Sequence, residues 1–115
     1  MMKKQLFIRG DLNDFYDGKF PLRNQKWIDA IKAEYGGISD GQKIWLFEVT
    51  ERNGKYDPTI FPGVIRITNG EFEIHANESD MMYLSESEQF KGYSMEDIVG
   101  TEYFNSMKKH RPEKF

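Results

Sequence analysis

Carboxylates are the side chains with the densest potential chemistry in this sequence. Positions 71–102 carry nine acidic residues and a single basic one, Lys91. Glu71, Glu73, Glu78, Asp80, Glu86 and Glu88 form the front of this band. The plainer reading of such a band is a solvated surface. The functional reading is a docking face for a protein with a basic surface, whose approach the acids steer and make salt-sensitive. That reading requires the charges to share one face.

A second set has the opposite sign. Lys43, Arg52, Lys55 and Arg66 accompany Trp45 and Tyr56, with Phe47 and Phe61 in the same stretch. Aromatics on a curved sheet stack bases while nearby cations hold phosphates, the chemistry of a single-stranded nucleic-acid-binding β-barrel. The overall net charge of −3 opposes it. So does the unbroken apolar run Ile44-Trp45-Leu46-Phe47, which reads as core.

Other constellations are weaker. Asp11, Asp14 and Asp17 are three residues apart, whereas a calcium loop needs ligands at alternate positions followed by Gly and a closing Glu. Their spacing suits helix capping. His75 and His110 are the two histidines and there is no cysteine, so zinc-thiolate and thiol chemistry are excluded. Gly36-Gly37 follows a helical pattern instead of opening one, so it is a helix terminator and not a phosphate loop. No catalytic set stands out, although a carboxylate-pair enzyme is a third reading. No cofactor and no metal are expected.

A length of 115 residues makes one domain, 1–115. No apolar run nears the roughly 20 residues of a membrane span. The run Leu6–Ile8 is too short for a signal peptide, so a cytoplasmic location is expected. The surest local feature is Gly63–Ala76. Asn69-Gly70 separates two alternating runs, as in a type I′ hairpin. A two-residue turn sets Thr68 against Glu71, Arg66 against Glu73 and Ile65 against Ile74. It also turns Glu71, Glu73 and His75 away from the apolar face, and an Arg66–Glu73 ion pair is expected.

Around that hairpin the pattern predicts a strand at 5–9, a helical turn at 11–17 ended by Gly18, and a helix at 24–35 capped by Asn24. A central strand follows at 43–50, then a tight turn at Asn53-Gly54 that opposes Arg52 to Lys55, and a short strand at 81–84. A final helix at 95–109 opens on Ser94 and Asp97 and is stopped by Pro112. The fold class is α+β with a curled, mostly antiparallel sheet, either an SH3-like barrel or a half-barrel meander.

The segments Gly63-Val-Ile-Arg-Ile-Thr-Asn-Gly-Glu-Phe-Glu-Ile74 and Met95-Glu-Asp-Ile-Val-Gly-Thr-Glu-Tyr-Phe-Asn105 resemble the YopX-like family of small phage and prophage proteins. This chain has Lys43-Ile-Trp-Leu-Phe-Glu48 where that family has Tyr-Glu-Gly-Asp. The resemblance implies an SH3-like barrel and a phage origin, and transfers no catalytic residue. The leading expectation is a small cytoplasmic regulatory protein acting by protein–protein contact, with a homo-oligomer as a way to cover sheet edges.

Overall fold

The computed structural model describes residues 4–10 and 15–115. Its strands are β1 (Phe7–Arg9), β2 (Lys19–Pro21), β3 (Lys43–Glu48), β4 (Glu51–Arg52), β5 (Lys55–Tyr56), β6 (Thr59–Thr68), β7 (Glu71–Ala76) and β8 (Met82–Tyr83). The helices are α1 (Gln25–Tyr35), α2 (Met95–Val99) and α3 (Thr101–His110). The main sheet runs β1-β3-β6-β7-β2, with β8 also on β6; β4 and β5 pair separately. All pairings are antiparallel except β1–β3. The α+β class with a mostly antiparallel sheet is as expected. The sheet is not closed into a barrel, so the SH3-like form implied by the resemblance is not adopted.

Turn chemistry builds the meander. Asn69 and Gly70 have φ of 53° and 77°, and the register pairs Thr68 with Glu71, Ile65 with Ile74 and Gly63 with Ala76. Arg66 and Glu73 are opposed as expected, yet each binds another partner. Arg66 lies 3.6 Å from Asp40, and Glu73 bonds His75 at 2.6 Å. Asn53-Gly54 makes the same kind of turn and does oppose Arg52 to Lys55. The repulsion is relieved outside the pair: Arg52 bonds Glu86, and Lys55 donates to the carbonyls of Glu113 and Phe115.

β6 has one neighbour on one side and two on the other. The N–H groups of Ile65 and Ile67 address the β3 side, reaching the Gln42 carbonyl and the Asp40 carboxylate. Backbone groups alternate along a strand, so even-numbered residues address β7 and β8. Ile60 meets Met82 and Val64 meets His75, while Pro62 falls between the two partners. The residue without an N–H thus sits where the ladder changes partner.

Side-chain alternation divides the core in two. On one face Ile8, Phe20, Ile44, Leu46, Phe61, Ile65 and Ile74 pack with Leu22 and with Ile28 and Ile31 of α1. Asn24 caps α1 by accepting from the Lys26 N–H, and Gly36 ends it at φ 79°. On the other face Phe7, Phe47 and Ile60 pack with Phe90, Ile98, Val99 and Met107. Trp27 touches both clusters.

Two expectations change. Residues 11–14 of the expected helical turn lie outside the described residues. Asp17-Gly18 is instead a two-residue turn, with Tyr16 and Lys19 exchanging backbone hydrogen bonds of 2.8 and 3.0 Å. Tyr16 is exposed. The helix expected at 95–109 is broken by Gly100, whose φ of 91° and ψ of 152° no helix accommodates. The Ser94–Asp97 capping box is present. Asp97 also receives the Lys4 ammonium at 2.7 Å. That bond, then the Ser94 N–H, holds the Asp97 carboxyl below the usual carboxylate range.

A group depressed in the folded state stabilises above its unfolded value and ceases to as pH falls through its folded one. Asp97→Asn should therefore lower the Tm at pH 7, and the gap from wild type should narrow as pH falls from about 5 toward 2.5, followed by circular dichroism. At Gly63 an added Cβ would lie 2.6 Å from Leu46 Cδ1 and 3.0 Å from Ile74 Cγ2. Gly63→Ala should cost about 1–3 kcal/mol in urea unfolding.

Candidate functional site

The two faces of the sheet are not equally covered. Residues 84–93 and the helices α2 and α3 roof the second face only at its β1 side and at the Phe47–Ile60 level. Across the remainder runs a register row of Lys43, Val64, His75 and Lys19 from four adjacent strands. The adjoining row holds Trp45 opposite Pro62. Together they floor a trough of about 970 Å³. One wall is the 3₁₀ turn Glu78–Asp80, and Asp17 and Gly18 close the far end. The volume lies at the upper end of the range for small-ligand sites.

Local sequence explains the walls. Asn77 accepts from the Ser79 N–H at 3.0 Å and so caps the turn carrying Glu78 and Asp80. The Asp17-Gly18 turn brings β2 beside β7, and the Gly18 carbonyl accepts from the Ala76 N–H. Trp45 is half-buried, its ring edge-on to Phe90 at 4.7 Å. Its remaining surface serves two depressions. The second, about 280 Å³, adds Met82, Glu86 and Glu88 and shares Trp45 and Asp80 with the first.

The acidic residues singled out from the sequence are distributed as follows. Glu78 and Asp80 line the trough, and Asp80, Glu86 and Glu88 line the second depression. Glu73 bonds His75 within the trough row's edge, and Glu71 sits exposed beside the hairpin turn. Four of the six therefore border one connected recess. Of the nucleic-acid set, Lys43 and Trp45 line the trough. Arg66 lies on the hairpin against Asp40. Arg52, Lys55 and Tyr56 belong to the separate β4–β5 ribbon, engaged with Glu86, with residues 113–115 and with Phe115 respectively.

Lys19, Pro62, Val64 and Asp17 were not apparent as site residues. The signal for Lys19 was Asp17-Gly18, a hairpin dipeptide that places the next residues in a strand. Among the described residues no group of three His, Asp or Glu is arranged to hold a metal ion. Nor is any described helix long and apolar enough to cross a membrane.

Comparison with protein-family models, with curated proteins and with solved structures finds no match.

The side chains of Lys19 and Lys43 make no hydrogen bond or ion pair with a described residue. Unpartnered surface side chains contribute little to folding. Lys19→Ala and Lys43→Ala should each shift unfolding free energy by less than about 0.5 kcal/mol in urea titrations. A loss above about 1 kcal/mol would mean the lysines are structural.

Proposed function

We propose that this protein is a small binding module that docks an extended basic segment of a partner protein in the trough over the unroofed part of its sheet. The observation that carries the reading is the connected recess centred on Trp45. Its floor carries the apolar Trp45, Pro62 and Val64 between Lys43 and the His75–Lys19 end. Five carboxylates, Asp17, Glu78, Asp80, Glu86 and Glu88, line it against two lysines. The apolar residues supply affinity, and the carboxylates raise the encounter rate of a cationic segment and reject anionic chains. Such a role accords with a regulatory protein and, through the sequence resemblance, with a phage setting.

Nucleic acid is the natural counter-probe, because its phosphates would meet the same carboxylates. The test is a titration of ¹⁵N-labelled protein with the peptide acetyl-Gly-Arg-Gly-Phe-Gly-amide in low salt. Amide shifts should concentrate at Lys43–Trp45, Val64 and Asn77–Asp80. The combined variant Glu78→Lys, Asp80→Lys, Glu88→Lys should weaken binding about tenfold or more, as should raised salt. Binding unaffected by charge reversal, or a tighter hold on a single-stranded oligonucleotide at the same amides, would overturn the reading.

A further inference from the structure

We infer that the docked segment carries a carboxylate as well as a cation, and that Lys43, helped by Lys19, holds the carboxylate. The inference deepens the docking reading and rests on it.

Lys4, Arg9, Arg52, Arg66, Arg111 and Lys114 each have an acidic partner. Lys19 and Lys43 have none among the described residues, yet both line the trough. They mark the two ends of the row that crosses Val64 and His75. Three strand spacings of about 4.8 Å place their backbones about 14 Å apart. Asp17 and the Glu73–His75 pair stand at the Lys19 end. Lys43 is therefore the cation farther from Asp17 and Glu73, and because Glu78 and Asp80 also line the trough, its single charge suits a carboxylate better than a dianionic phosphate.

Past Trp45 the sign reverses. Met82 pairs with Ile60, and Ile60 with Phe47, so the second depression lies beyond Trp45 from Lys43. It is lined by Asp80, Glu86 and Glu88 and by no cation. Arg52 neutralises Glu86, leaving Asp80 and Glu88 for a ligand. Along β3 the recess thus reads carboxylates, then the indole of Trp45, then Lys43. An extended chain presents residues i, i+2 and i+4 on one face at about 6.7 Å intervals, the interval that separates Trp45 from Lys43. The complementary segment reads cation, any residue, aromatic, any residue, carboxylate. Its outer charges satisfy the two ends of the recess and its aromatic group covers Trp45 and Pro62.

The experiment compares acetyl-Gly-Arg-Gly-Phe-Gly-Asp-amide with its Asn and phosphoserine counterparts, again by amide shifts of the ¹⁵N-labelled chain at low salt. The Asp peptide should bind about threefold to fivefold more tightly than the Asn peptide, the size expected of one exposed ion pair. Lys43→Gln should erase that difference, so that the Asp and Asn peptides bind alike. Equal binding of the Asp and Asn peptides at the trough amides would overturn this inference and leave the docking reading standing. Tenfold preference for phosphoserine would overturn the carboxylate assignment. If none of the peptides moves a trough amide, the docking reading falls and this one with it.

Discussion

The close approach of β3 and β7 to β6 at Gly63 is the constraint on which the rest of the structure depends. Leu46 and Ile74 occupy the space where a side chain at position 63 would begin. Because that space is filled from both sides, the first core layer closes over a strand that contributes no side chain there. Ile65 and Phe61, one alternation away on each side, are fully buried in the same layer. α1 then has a continuous apolar surface on which to lay Ile28 and Ile31. Packing at this density leaves little slack, so the register of three strands is set together.

The second face is built on a different principle. Its cluster is rich in aromatics, with Phe7, Trp45, Phe90 and Tyr93 meeting tilted or edge to face at centroid distances of 4.7 to 6.1 Å. Such rings bury much area on few residues, so a short loop and two small helices suffice as a roof. The roof ends at Trp45. Beyond it the same strands continue with Lys43, Val64, His75 and Lys19 uncovered. The recess is therefore a consequence of a sheet longer than its cover, and Trp45 belongs to both core and recess.

Local order was largely legible in the sequence. The hairpin register, the α1 caps and the Ser94–Asp97 box all follow from a few residues whose backbone demands are strong. What was not legible depended on long-range placement. Nothing near Gly100 distinguishes a helix break from a tolerated glycine, since its backbone is set by where Ile98, Val99 and Met107 must all reach the same cluster. The parallel docking of β1 on β3 has no local signal either. As for the site, alternation placed Glu73 and His75 on the outer face, but the recess is assembled from β2, β3, β6, β7 and the turn after β7. Asp17-Gly18 announced one of those contributions and was outweighed by a capping pattern in the preceding aspartates. Conversely, the cationic and aromatic set looked coherent along the chain, and a second two-stranded ribbon carried half of it elsewhere.

Pro62 has a consequence for association. Between the end of β7 and the start of β8, one rung of the β6 ladder faces no strand. An open rung of this kind invites a foreign strand to insert and complete the ladder, the usual route to sheet-mediated aggregation. Proline offers a carbonyl at that rung and no N–H, so an incoming chain cannot form the paired bonds that would hold it. The notch is left chemically incomplete, which protects the middle of the sheet from polymerising through its own backbone.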